Sequence, residues 1–241
     1  MQTDIVNKKT NSVSVVLPSY NEKDNIVEAI ERISSALGED LHEIIIVDDN
    51  SPDGTWKLVQ ELHHPKVVLI RRIHEKGLAS ALSDGIISAQ GSIVVWMDCD
   101  LGLPPEDIPR LVARIGKYDV VIGSRYVGRG RDLRPPIRAF LSTVLNLYAS
   151  AFLGFKVRDY TSGFIAVKKE VVEEVPISRI GFGEYFVKFC YETVRKGYKV
   201  TEVGYIYKDR TRGVSKSGGD LKTLLKYGWQ YGVLVLKLRF R

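Results

Sequence analysis

Ile93-Val94-Val95-Trp96-Met97 is an unbroken apolar run that ends in two carboxylates, Asp98 and Asp100, one residue apart. A short continuous run of this kind reads as a strand buried on both faces, as in a parallel sheet covered by helices. In an open α/β sheet, ligands bind outside the carboxyl ends of the strands, which is where both carboxylates fall. Alternate residues of an extended segment point the same way. Asp98 and Asp100 can therefore converge on one hard cation, which takes oxygen ligands and often a substrate phosphate as well. Asp-rich turns also follow strands for structural reasons alone, so the pair gains meaning only from its company along the chain.

That company is regular. Residues 12–17, 43–47, 66–70 and 118–123 read as further buried strands. Helical patterns separate them at 25–37, 56–62, 77–89 and about 105–115; in the first, Ile26, Ala29, Ile30, Ile33 and Leu37 recur at helical spacing. Strands alternating with helices imply right-handed β-α-β units, hence an α/β fold with a mostly parallel doubly wound sheet suited to a nucleotide. A strand at 165–167, a helix at 182–196 and a final strand at 200–207 follow. Neither a G-x-G-x-x-G after the first strand nor a G-x-x-x-x-G-K-[ST] is present. The acidic strand ends then work through a cation, with basic residues helping.

The length of 241 residues suits one catalytic domain, residues 1–219, with a C-terminal appendage at 220–241. The net charge of +6 fits an anionic partner: a nucleotide sugar, a lipid phosphate, an anionic membrane surface or nucleic acid. Nucleic-acid motifs are missing, and the basic residues sit in loops after the sheet rather than in a recognition helix. Cys99 and Cys190 give no disulfide framework, which fits reduced surroundings. The polar first residues are no signal peptide, and no charge-free run reaches the roughly 18 apolar residues of a spanning helix.

Arg125, Arg129, Arg131, Arg134 and Arg138 form a dense basic stretch, followed by an uncharged segment at 139–155. That segment either lies at a membrane surface or packs as a core helix. In 221–240, Lys222, Lys226, Gln230 and Lys237 fall on one narrow helical face, with Leu221, Leu224, Leu225, Trp229, Leu236 and Phe240 largely elsewhere. This is a basic amphipathic helix of the interfacial kind, and its alternative is docking on its own domain.

Seven short pieces, in order, resemble the inverting, A-type (family 2) glycosyltransferases, and within them the polyprenyl-phosphate sugar transferases such as dolichyl-phosphate mannose synthases. They are Val-Val-Leu-Pro-Ser-Tyr-Asn-Glu (15–22), Ile-Val-Asp-Asp-Asn-Ser-Pro-Asp-Gly-Thr (46–55), Glu-Lys-Gly-Leu-Ala-Ser-Ala (75–81), Met-Asp-Cys-Asp-Leu (97–101) with Pro-Pro-Glu (104–106), Ile-Gly-Ser-Arg-Tyr (122–126), Thr-Ser-Gly-Phe (161–164) and Arg-Gly-Val-Ser-Lys (212–216). The resemblance implies that Pro18, Tyr20 and Glu22 line the base and ribose beside Val47 and Asp49. It places Asp98, Cys99 and Asp100 on the nucleotide sugar, with Asp100 holding Mg²⁺ or Mn²⁺. Arg125, Arg138 and Ser142 would face the acceptor phosphate, and Arg210 and Lys216 the donor or acceptor phosphates.

The implied reaction moves a hexose, mannose from GDP-mannose in the leading reading, to a polyprenyl (dolichyl) phosphate with inversion. A UDP-sugar donor or another acceptor is the alternative, and a non-catalytic nucleotide-binding module a further one. The implied site of work is the cytoplasmic side of a membrane, as a peripheral protein. Two departures stand out. The family often carries Gln or another polar residue where Gly102 stands, so a metal contact there falls to backbone or water. A Gln-x-Glu setting is common near 181–189, where this chain has Gly183-Glu184-Tyr185. Many relatives continue into transmembrane helices, whereas this sequence stops at Arg241; a short form or a membrane-anchoring partner is the expectation.

Overall fold

A computed structural model describes residues 11–209 and 221–240. The chain first builds β1 (Val13–Ser19), α1 (Ile26–Leu37), β2 (Leu41–Asp48), α2 (Thr55–Glu61), β3 (Val67–Arg71), α3 (Leu78–Ser88) and β4 (Ile93–Trp96). After α4 (Ile108–Val112) come β5 (Val120–Ser124), β6 (Arg131–Asp132), α5 (Pro136–Leu153), β7 (Ile165–Lys168) and α6 (Lys169–Glu174). The chain closes with α7 (Glu184–Arg195), β8 (Val200–Gly204), β9 (Ile206–Tyr207) and α8 (Leu221–Arg239).

Seven strands form one sheet in the order β3-β2-β1-β4-β7-β5-β8. Only β7 runs antiparallel, between β4 and β5. β6 and β9 pair separately as a two-stranded parallel sheet. The expected α/β architecture is thus present. The alternating faces of the central strands feed two apolar layers. Val15, Leu17, Val95 and Met97 pack with α1, α2 and α4 on one face, and Val16, Val94 and Trp96 pack with α3 and α7 on the other. All five α1 positions read from periodicity are buried. Trp96 is fully buried and meets the edge of Phe189 with ring centroids 5.4 Å apart. Gly85 lets α3 close onto the sheet: an added Cβ would stand 2.9 Å from Val47 and clash with Val16.

Four local expectations change. β4 stops at Trp96, so Asp98 and Asp100 sit on the following turn instead of an extended strand. The 105–115 segment is a 3₁₀ turn, Pro105–Asp107, and a short α4. The 200–207 strand breaks at Tyr205, where β9 leaves the main sheet to pair with β6, an element hidden in the basic stretch. α5 begins at Pro136, because proline suits the first helical turn, and so takes in Arg138. The resulting 18 residues have mean hydropathy 1.2 and are 22% buried, which makes α5 long and apolar enough to cross a membrane. No charge-free run of that length is present, as expected, but with Arg138 included α5 is a candidate by length and composition. α5 packs on α8, and Tyr148 Oη donates to Gly232 O at 3.3 Å. In α8 side chains are described from Tyr227 onward, so Lys222, Leu224, Leu225 and Lys226 fall outside the described side chains.

Candidate active site

The carboxyl ends of β1, β2, β4 and β5 bring the residues of interest to one edge of the sheet. From β1 the chain order runs to β2 and β3 on one side, while β4 lies on the other. In doubly wound folds ligands bind at such a reversal, here outside the ends of β1 and β4. Cys99 spans the gap between those ends: the buried thiol donates to Pro18 O at 3.1 Å. Its side chain therefore ties two strand ends together.

On the β1–β2 side, Tyr20 and Pro18 are partly open, and Lys76 Nζ lies 4.9 Å from the Tyr20 ring centroid. Glu22 is buried; Asn25 Nδ2 donates to its carboxylate at 2.9 Å, and its own amide donates to Thr55 Oγ1 at 3.0 Å. Val47 has its side chain fully buried against α3, which leaves only its main chain to the site. Asp49 is buried and bound by Arg72 through Nε at 2.7 Å, while Gly77 N donates to its other oxygen at 2.7 Å. Arg72 also reaches Ser80 Oγ at 2.9 Å and Asp84 at 3.1 Å. Asp49 thus fastens the 75–81 segment to the end of β2. Asp84 and Glu75 in turn hold Arg179, which reaches Glu75 at 2.8 Å.

The carboxylate turn stands at the end of β4. Asp100 is buried and accepts a hydrogen bond from Gly102 N at 3.1 Å; Asp98 is half-buried. Tyr207 lies alongside: burial, with the nearby charges of Asp100 and Asp98, pushes its hydroxyl far above the usual tyrosine range. The buried hydroxyls of Tyr185 and Tyr231 are raised as well, chiefly by burial and in part by the charge of Asp98. All three stay protonated donors near the acidic pair. Two carboxylates are a hard-oxygen set, and no third His, Cys, Asp or Glu joins them into a complete cage among the described residues. That set fits Mg²⁺ or Mn²⁺ whose remaining positions go to water and substrate oxygens.

The arginine side lies beyond β5. Arg125 is buried with Asp159, to which Nη2 donates at 2.6 Å and Nε at 2.9 Å. It also donates to Thr161 Oγ1 at 2.7 Å and lies 3.4 Å from Asp132. Burial works against its charge, but Asp159 outweighs it and keeps the guanidinium ionised. Thr161 accepts from Asn146 Nδ2 at 2.8 Å, and Tyr126 Oη donates to Ser142 Oγ at 3.1 Å. Asn146 and Tyr126 are themselves 3.4 Å apart, which closes the network. Arg138 sits nearer the surface, 3.6 Å from Asp209. Arg125, Ser142 and Arg138 are thus gathered on one side of the site, with Arg125 sequestered by its carboxylates. Arg210 and Lys216 lie outside the described residues.

Sequence reading missed Arg72, Asp132, Asn146, Asp159 and Tyr207. Asp159 opens the Asp-Tyr-Thr-Ser-Gly-Phe stretch, a cue that a buried arginine needs a carboxylate somewhere. The others carried no local signal. Glu184 turns back on its own helix start, accepting from Phe182 N at 2.8 Å and Gly183 N at 3.0 Å.

A mostly parallel sheet with an acidic turn at its carboxyl edge and arginines beyond β5 has the architecture of the A-type glycosyltransferases. The model of glycosyl transferase family 2 matches residues 14–176, and the chain belongs to that family. Among its relatives is a dolichol-phosphate mannosyltransferase from Pyrococcus furiosus, 42% identical over 222 residues, covering 89% of this chain and 61% of that one. A polyprenol monophosphomannose synthase from Mycolicibacterium smegmatis is 32% identical, with 88% of this chain and 83% of the relative covered. In fold, the chain is similar to glucosyl-3-phosphoglycerate synthase from Mycobacterium tuberculosis in complex with Mn²⁺, UDP and phosphoglyceric acid. That match has TM-score 0.75 at 19% identity and covers 95% of this chain and 78% of the other. The chain spans about three-fifths of the length of the Pyrococcus relative.

Proposed function

We propose that this glycosyltransferase moves mannose from GDP-mannose to a polyprenyl phosphate of the dolichyl type, with inversion at the anomeric carbon. The observation that carries this reading is the 42% identity to the Pyrococcus dolichol-phosphate mannosyltransferase. The donor binds outside the ends of β1 and β4, its base near Pro18 and Tyr20 and its diphosphate at the carboxylate turn. Asp98 and Asp100 are the residues to hold Mg²⁺ or Mn²⁺ there. A divalent ion, when bound, neutralises the charge that gathers on a departing diphosphate.

The acceptor phosphate is already an anion, so no strong general base is needed to make it a nucleophile. Arg138 and Ser142 hold it beside the anomeric carbon, while Arg125, fixed and neutralised by Asp159, braces them from behind. A phosphate oxygen forms the new bond to the anomeric carbon as the bond to the diphosphate breaks. The electron pair leaves with GDP, and attack from the opposite face inverts the configuration.

The acceptor tail is insoluble, so its phosphate is met at a membrane surface. Ile137, Phe140, Val144 and Leu147 on α5, with Trp229 and Leu236 on α8 and Phe240 just after it, are exposed apolar side chains. They form the face that docks, and the donor site stays open to the aqueous side. Labelled GDP-mannose and UDP-glucose, each offered with dolichyl phosphate and followed into the lipid phase, test the proposal. Label should enter lipid only from GDP-mannose. Entry only from UDP-glucose refutes the donor, and entry from neither refutes the acceptor class.

A further inference from the structure

Gly102 follows the carboxylate turn directly, and its neighbours come from the far end of the chain. Lys208 N donates to Gly102 O at 3.2 Å. A Cβ added at Gly102 would stand 2.8 Å from Lys208 O, 2.8 Å from Tyr207 Cε2 and 3.2 Å from Asp100 Oδ1. The backbone of Gly102 is not among those with positive φ, so what demands glycine here is close approach rather than a left-handed turn. Lys208 O is main chain and cannot rotate away as a side-chain tip would.

The residues resting on Gly102 lead straight to the arginines. β9 is tied to the 131–133 segment: Arg131 N donates to Tyr205 O at 3.0 Å and Leu133 N to Tyr207 O at 2.9 Å. The Arg134 guanidinium lies 4.9 Å from the Tyr207 ring centroid. Asp209, next after Lys208, is the partner of Arg138 at 3.6 Å. A segment from Tyr205 to Asp209 therefore crosses from the carboxylate turn to the arginine cluster, and its footing on the donor side is a bare Cα.

We propose that Gly102 is a positioning residue that couples the two halves of the site. It seats Tyr207 and Lys208 against the acidic turn and so sets Asp209 and Arg138 on the acceptor side. The proposal rests on the assignment of Arg138 to the acceptor phosphate made above. One consequence runs against the resemblance: a polar side chain at position 102 harms this protein instead of completing its cation site.

Gly102→Ala and Gly102→Gln in the full chain test it, each first checked for folding by circular dichroism. Hydrogen exchange read by mass spectrometry should speed up across both 205–209 and 131–134. The acceptor KM should rise about tenfold, with the GDP-mannose KM changed by less than about twofold. Mn²⁺ titrated in the presence of GDP should bind no more tightly than to wild type. Unchanged exchange in the two segments, or tighter Mn²⁺ with an unchanged acceptor KM, overturns the proposal. If wild type transfers to no polyprenyl phosphate, the functional reading fails while the exchange measurement still decides the coupling. If neither glycine variant folds, Asp209→Asn decides it: faster exchange across 131–134 supports the coupling, and unchanged exchange there overturns it.

Discussion

Arg125 and Arg138 carry the same charge into different surroundings, and the surroundings sort their roles. Arg125 is locked to Asp159 in a fully buried pair. Removing one member of such a pair strands the other charge at a cost of about 3–5 kcal/mol. Arg125→Ala should therefore lower unfolding stability by that amount, read as a reduced denaturation midpoint in urea. Arg138 is held by a longer contact to a partly exposed Asp209. Arg138→Ala should shift stability by no more than about 0.5 kcal/mol, yet raise the acceptor KM in steady-state kinetics. In the proposed reaction Asp100 is the residue on which the donor side turns. Asp100→Asn keeps the shape of the side chain and its bond from Gly102 but removes the charge. Its kcat should fall by about 10²–10³ with the thermal midpoint little changed, and chelation should silence wild type until Mg²⁺ or Mn²⁺ is restored.

Elements repeat the lesson that geometry comes from packing while chemistry sits at the ends. The central strands and α1 were legible because β-branched runs and a helical apolar stripe follow directly from what burial demands. The acidic turn was legible because both carboxylates sit beside a strand end. β6 was not, since two residues gain strand geometry only from β9, far along the chain; nor was the break at Tyr205, which that same pairing imposes. Arg72 and Asp159 escaped for a related reason: each matters through a partner that only the fold supplies. The seat of α3 gives one test. Gly85→Val should crowd Val16 and Val47 and cost about 1–3 kcal/mol, measured by urea unfolding. β6 gives another. Burial raises the carboxyl of Asp132, but the hydrogen bond and charge of Arg134 outweigh it and hold the group below its usual range. A lowered folded pKa means stability that is present above the unfolded value of about 3.9 and lost as pH falls through the folded one. Asp132→Asn should therefore flatten the acid limb of the stability curve below about pH 4.

The docking proposed above gives the molecule a wet side and an oily side, with α5 between them. By length and hydropathy α5 passes as a spanning helix, yet its inner face argues that it lies flat. Asn146 is buried and bonded to Thr161, and Ser142 to Tyr126, so leaving the domain would strip the arginine cluster of its supports. The opposite face offers Phe140, Val144 and Leu147 to the outside, and α8 adds Trp229 and Leu236. Under the docking proposed above, a helix so divided would settle in the headgroup plane, with its polar contacts kept in protein. Lys237 and Arg239 close α8 with positive charge, each contributing about 1 kcal/mol near an anionic leaflet and less in high salt. Burying a large apolar side chain contributes about 1.5–3 kcal/mol, so replacing Phe140, Leu147 and Trp229 together by Ser should release the protein from anionic vesicles in a flotation assay. The same variant should lose activity on a long polyprenyl phosphate and keep it on a short, water-soluble prenyl phosphate, because the acceptor arginines are untouched. Equal loss on both acceptors would assign these side chains to packing within the protein, and unchanged flotation would move the docking face away from α5 and α8.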